Sequence, residues 1–131
     1  MNETRQKPRL LAIDDHADSA ELITRVAAGV GYEARASTKP DATRKTLAAW
    51  NPDIVTLDLC MPEEDGFGVF TLLEEQGFAG LIVIVSGHDE WLRRSATRLG
   101  SARGLNIAGN LSKPVDLRKL RELLSGFQAK V

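Results

Sequence analysis

The sequence predicts a doubly wound α/β domain, a (βα)5 sandwich with a five-stranded parallel sheet and helices on both faces. Three observations predict it. Five short apolar runs recur along the 131 residues. Each run is followed by a segment whose apolar residues return every three or four positions. Three of the runs are continuous rather than alternating, as strands buried on both faces are. Strands that alternate with helices argue for a parallel sheet, and right-handed crossovers place the helices on both of its faces.

The first run is RLLAI (9–13). After it, Leu22, Ile23, Val26, Ala27 and Val30 share a helical face until Gly31 stops the pattern. The second run, YEARA (32–36), alternates and reads as an edge strand with one wet face. Residues 39–50 carry a weaker stripe of Ala42, Thr46, Leu47 and Ala49, closed by Asn51-Pro52. DIVTL (53–57) is the third strand, followed by a short helix bearing Val69, Phe70 and Leu73, with Gly77 beyond it. LIVIV (81–85) is the fourth. Leu92, Ala96 and Leu99 then mark a helix over 89–102. NIAGNL (106–111) is the fifth strand. A final helix from Asp116 has the clearest amphipathic stripe, Leu117, Leu120, Leu123 and Leu124. Residues 1–8 read as a loose lead-in and 128–131 as a short tail, leaving one domain over 9–127.

Composition narrows the function. Seventeen Lys+Arg face 18 Asp+Glu, a formal net charge of −1, so nothing predicts general affinity for nucleic acid or an anionic membrane. The single cysteine, Cys60, excludes an internal disulfide and fits a reducing compartment. The N-terminus lacks an apolar signal segment, and the apolar runs are far too short to span a membrane. The expectation is a cytoplasmic protein.

Open parallel sheets bind ligands outside the carboxyl ends of their strands. Those ends here carry Asp14 and Asp15, then Ser37 and Thr38, then Asp58, then Ser86, then Lys113. Taken singly, each has an ordinary structural reading. Asp14-Asp15 caps the next helix, an Asp at a strand–loop junction makes an Asx turn, a Ser before Gly is a turn, and a Lys before Pro is solvated surface. Convergence on one edge outweighs these readings. Three clustered carboxylates repel unless cations join them. Lys113 supplies one positive charge, and a hard divalent ion balances the rest. Mg²⁺ is the natural choice, with Mn²⁺ acceptable in its place. Asp58 is then placed to act as a nucleophile on phosphorus, with the ion, Lys113 and the Ser86 hydroxyl stabilising the transferred group.

Asp14-Asp15, Asp58 followed by Met61-Pro62 and Gly66, Ser86-Gly87 and Lys113-Pro114 together resemble the response-regulator receiver domain, the CheY-like family of two-component signalling. The resemblance covers nearly the whole chain. It implies a flavodoxin-like sheet in the order 2-1-3-4-5. It implies that Asp58 accepts phosphoryl from a histidine kinase's phosphohistidine. Asp14, Asp15 and Asp58 would hold Mg²⁺ together with the backbone carbonyl of Cys60. Ser86 would be the switch hydroxyl, Lys113 would pair with the phosphoryl group, and the Lys113-Pro114 peptide would be cis. The implied partners are a sensor histidine kinase or phosphotransfer protein, and a downstream protein or an output domain outside these residues. A phosphorylation-dependent dimer is one further option. Beyond self-catalysed phosphoryl acceptance and hydrolysis, no enzyme activity is implied.

Two departures from the family bear on output. Asn110 stands where an aromatic switch residue is usual, three before Lys113. The stretch from Ser86 to Lys113 is also a few residues long, the excess falling around 99–106. A weaker likeness runs to receivers fused to cyclic-di-GMP phosphodiesterase domains.

The alternatives are less well served. A receiver-like interaction module without phosphorylation leaves the intact acceptor, acidic pair and lysine unexplained. A Mg²⁺-dependent aspartyl phosphohydrolase usually has a second Asp two after the nucleophile, where this chain has Cys60. A flavin binder would need a phosphate loop where Asp14-Asp15 stand. His16 and His88 fit best as residues flanking the pocket that tune access or hydrolysis; a transition-metal site with Asp14, Asp15 and Asp58 is the lesser reading. Cys60 reads as a small idle residue before a redox thiol. Trp50 is expected to cover the sheet edge, and Trp91 reads equally as a half-buried helix residue and an interface anchor.

Overall fold

The computed structural model describes residues 7–59, 66–87 and 90–128. Five strands, β1 (Arg9–Ile13), β2 (Glu33–Ser37), β3 (Ile54–Asp58), β4 (Leu81–Ser86) and β5 (Asn106–Ser112), alternate with five helices. The helices are α1 (Ala17–Gly29), α2 (Pro40–Trp50), α3 (Gly66–Glu75), α4 (Glu90–Ala102) and α5 (Leu117–Gln128). All strand pairs are parallel, in the order β2-β1-β3-β4-β5. This is the doubly wound, flavodoxin-like sheet expected.

The burial of the strands follows their composition. Every residue of β3 is buried, and β1 and β4 are buried after their first residue. β2 is exposed at three of five positions, as its alternating sequence requires of an edge. Because side chains alternate across a strand, the sheet feeds two cores. On one face Leu11, Val55, Leu57, Ile82 and Ile84 pack with α2, α3 and α4. On the other Leu10, Ala12, Ile54, Val83 and Val85 pack with α1 and α5.

Three helical stripes differ from the sequence reading. In α2 the buried residues are Thr43, Leu47 and Trp50, while Ala42 and Ala49 are exposed. Trp50 offers far more apolar surface than either alanine, so the helix rotates to bury it. Arg35 of edge strand β2 lies over its ring, 4.5 Å from the centroid. In α1 Leu22 is exposed, and Ala20, Ile23 and Ala27 are buried. In α4 the core face is Ala96 and Gly100, and Leu99 is exposed. Gly100 is buried because Ile107 of β5 occupies the space a side chain would need. Trp91, at the start of α4, is 73% exposed, which overturns the half-buried reading.

Candidate functional site: an acidic pocket at the carboxyl edge of the sheet

β1 and β3 are neighbours in register, Leu10 opposite Ile54 through Ile13 opposite Leu57. That register carries both chains to the same edge, where Asp14 and Asp58 emerge side by side. Asp58 is the last residue of β3, so the strand runs one residue further than its apolar run. Asp14 is 1% and Asp58 2% exposed. Two carboxylates this deep are costly without compensation.

The chain supplies part of it. The backbone N–H of His16 donates to Asp14 Oδ1 at 2.9 Å, an Asx-type turn that starts α1. Neither aspartate caps that helix by side chain: the residue before α1 is His16, and it makes no capping bond. Lys113, brought in just beyond β5, donates from Nζ to Asp14 Oδ2 at 3.0 Å and lies 3.4 Å from Asp58 Oδ2. Its own backbone N–H donates to the Ser86 carbonyl at 2.6 Å, which ties the ends of β4 and β5 together. The Lys113-Pro114 peptide is cis, as expected. Burial works to lower the Lys113 pKa. The hydrogen bond and charge of Asp14, with the charge of Asp58, outweigh it and hold the ammonium above its ordinary value.

One ammonium does not balance three carboxylates. Asp14, Asp15, Asp58 and His16 each place a ligand atom within a span of 4.8 Å. The buried Oδ1 of Asp15 receives no hydrogen bond among the described residues. Oxygens of this kind, gathered at one edge with surplus negative charge, suit a hard divalent cation with waters completing its shell. Ser86 is fully buried one residue beyond Val85, the register partner of Asp58. Among the described residues its hydroxyl has no hydrogen-bond partner.

The structure therefore brings together Asp14, Asp15, Asp58 and Lys113, with Ser86 at the neighbouring strand end. Ser37, at the end of β2, is instead occupied with Thr43 of α2 at 2.6 Å and takes no part. Cys60 and His88 lie outside the described residues. His16 sits closer to the carboxylates than its sequence position announced, its Nδ1 3.1 Å from Asp15 Oδ1 and 3.4 Å from Asp14 Oδ1. Only its place next to the acidic pair hinted at this.

Comparison with known proteins agrees with this geometry. The family model of the response regulator receiver domain matches residues 10–125. The chain belongs to the response regulator receiver domain family. A protein-glutamate methylesterase/protein-glutamine glutaminase 5 of Myxococcus xanthus is 34% identical over 130 residues, covering 94% of this chain and 35% of that protein. A phosphoglycerate transport system transcriptional regulatory protein, PgtA, of Salmonella typhimurium is 30% identical, with 88% and 26% covered. This receiver chain thus spans about a quarter to a third of the length of these relatives. Among solved structures, a response regulator from Colwellia psychrerythraea superposes with a TM-score of 0.84 at 27% identity, covering 96% of this chain and all of that one. The signal receiver domain of an HD domain-containing protein from Pseudomonas fluorescens Pf-5 shares the fold, with a TM-score of 0.79 at 20% identity and 96% and 100% covered. The pocket of Asp14, Asp15, Asp58 and Lys113 is of the kind found in receivers that accept phosphate. No helix among the described residues is long and apolar enough to cross a membrane.

Proposed function

We propose that this receiver is a phosphorylation switch in which Asp58 accepts a phosphoryl group from the phosphohistidine of a sensor kinase or phosphotransfer protein. The observation that carries the reading is the placement of a 2%-exposed Asp58 carboxylate, 3.4 Å from the Lys113 ammonium, beside a second acidic pair. A carboxylate oxygen of Asp58 forms the new O–P bond as the P–N bond to the donor imidazole breaks. The leaving imidazole keeps the electron pair and takes a proton from solvent. Hydrolysis by water later returns the free carboxylate and inorganic phosphate.

The chain's residues have distinct parts in this. Asp14 and Asp15, with Asp58, would hold Mg²⁺, and the Cys60 carbonyl completes the proposed set. Bound there, the ion supplies neutralising charge for phosphoryl oxygens. Lys113 is pre-organised by Asp14 to clamp the phosphoryl group, which costs little reorganisation at the moment of transfer. The buried, unpartnered Ser86 hydroxyl is a donor waiting for an acceptor, and a phosphoryl oxygen would satisfy it.

Ser86 and Lys113 close the carboxyl ends of β4 and β5, so drawing them toward the new group biases the α4–β5–α5 face. Asn110 on β5 is exposed, so an aromatic rotation does not transmit this change. Exposed residues of the two helices include Trp91, Arg94 and Arg98 on α4, with Glu90 paired to Arg94, and Arg118, Lys119, Arg121 and Glu122 on α5. Its downstream partner, or an output domain of a longer chain, would be read there.

The test is titration with beryllofluoride and Mg²⁺, followed by amide resonances of β4, α4 and β5. The expected result is a saturable, Mg²⁺-dependent shift of these signals that Asp58→Asn abolishes. A wild type that ignores beryllofluoride at every Mg²⁺ concentration would leave the phosphate-independent interaction module standing instead.

A further inference from the structure

The acidic pocket contains a nitrogen as well as oxygens. His16 Nδ1 lies 3.1 Å from Asp15 Oδ1 and 3.4 Å from Asp14 Oδ1. Neither approach is a hydrogen bond: Asp15 Oδ1 is buried and accepts none among the described residues. Both separations are within ion-pair distance. The separations have another explanation. In an octahedral shell with bonds of about 2.1 Å, adjacent ligand atoms stand about 3.0 Å apart. The nitrogen therefore stands from each oxygen at close to the spacing of neighbouring ligands of one ion. The position is also held from the backbone, since the His16 N–H donates to Asp14 Oδ1 at 2.9 Å. The ring itself is 66% exposed, open to an arriving hydrated cation.

We propose that His16 Nδ1 is a ligand of the cation held by Asp14, Asp15 and Asp58, and that it shifts the site's preference from Mg²⁺ toward divalent transition ions of octahedral habit, such as Mn²⁺. This rests on reading the acidic pocket as a cation site. The chemistry follows from ligand type. Mg²⁺ is hard, favours oxygen and gives up its waters reluctantly. Imidazole suits first-row transition ions, and affinities on mixed nitrogen and oxygen sites rise along that series. An all-oxygen pocket would discriminate little between Mg²⁺ and Mn²⁺, whereas one nitrogen gives Mn²⁺ an advantage. His16 thus acts as a selectivity ligand, and its removal weakens Mg²⁺ binding less than Mn²⁺ binding.

The experiment uses the metals alone. Mg²⁺ and Mn²⁺ are titrated calorimetrically into wild type, His16→Asn and His88→Asn, and the Mn²⁺ complexes are examined by pulsed electron paramagnetic resonance for nitrogen modulation. Asn is a favoured residue at a helix start, so His16→Asn preserves the fold; its circular dichroism is checked beside the wild type. Loss of even an outer-shell partner weakens metal binding by about 10–100-fold. Loss of a direct ligand should lower Mn²⁺ affinity by at least about tenfold, with a smaller change for Mg²⁺. Imidazole nitrogen modulation should be present in wild type and His88→Asn and absent in His16→Asn. An unchanged Mn²⁺/Mg²⁺ ratio in His16→Asn, or no nitrogen modulation in the wild type, overturns the proposal while leaving the cation site intact. If neither ion binds the wild type, the cation-site reading itself fails.

Discussion

Replacing Lys113 by Met keeps the aliphatic stem and removes the ammonium from between Asp14 and Asp58. At the observed 3.0 Å and 3.4 Å, with an effective dielectric of about 20, the two Coulomb attractions are about 5.5 and 4.9 kcal/mol. These are gross figures, offset by the cost of desolvating the ammonium. Breaking a buried pair by removing one partner costs about 3–5 kcal/mol net, because it strands the remaining charge. Lys113 is 24% exposed on its side chain while both aspartates are nearly sealed, so about 3 kcal/mol is the expected loss. In urea this lowers the unfolding midpoint by about 1–3 M at constant slope. Mg²⁺ supplies a second check. With the internal cation gone, added Mg²⁺ should stabilise Lys113→Met more than it stabilises the wild type, by mass action on the folded state. A Lys113→Met variant within about 0.5 kcal/mol of wild type, with an unaltered response to Mg²⁺, would refute the charge balance described for this pocket.

Further predictions concern the scaffold. Tyr32 is the chain's one tyrosine, buried, with its hydroxyl donating to the Leu124 carbonyl at 2.6 Å. Burial, reinforced by the Asp53 charge, pushes its pKa from 10.0 up to about 12. The folded state favours the neutral phenol, so its stabilisation is complete below pH 10 and is lost as pH rises toward about 12. Phenolate absorbance should titrate late in the folded protein, and Tyr32→Phe should flatten this alkaline loss while costing about 1–2 kcal/mol at neutral pH; a midpoint near 10 would contradict it. Gly80→Ala should destabilise by about 1–3 kcal/mol, because the Asp53 carbonyl stands where the new Cβ would go and also accepts the Leu81 N–H. Denaturant melts showing no loss would argue against that close approach. Trp91→Ala should leave stability within about 0.5 kcal/mol and abolish the iodide-quenchable part of the fluorescence, since Trp50 is 5% exposed; a large destabilisation would mean that Trp91 is packed.

Much of the fold was legible because strand burial is written directly in composition. RLLAI became β1 without adjustment, and LIVIV and DIVTL became β4 and β3 with shifts of one residue at their ends. The shifts have physical causes. Asp58 belongs to β3 because pairing with Val85 of β4 continues past the last apolar side chain. Tyr32 falls outside β2, although its residue type suits a strand, because it turns under α1 and α5 to reach Leu124. Helix faces were less legible, since period alone fixes a stripe only to within a residue or so. Trp50 and the Gly100–Ile107 contact decided α2 and α4, and both depend on what lies opposite in space.

The pocket was legible for a different reason. Asp14, Asp15, Asp58 and Lys113 are far apart in sequence, but each ends or follows a strand of a parallel sheet, and topology sends all such ends to one edge. The role of Ser37 was not legible, because its engagement by Thr43 depends on how α2 docks. The orientation of His16 was not legible either. The turn that Asp14 makes with the His16 backbone holds this residue beside the acidic pair, which one residue's identity does not reveal.

Phosphoryl acceptance by Asp58 is tested most directly by the intact mass of the protein after incubation with Mg²⁺ and a small acyl phosphate donor, beside Asp58→Asn and a Mg²⁺-free control. One added phosphoryl group is expected on the wild type alone, dependent on Mg²⁺. An adduct that persists in Asp58→Asn would contradict it.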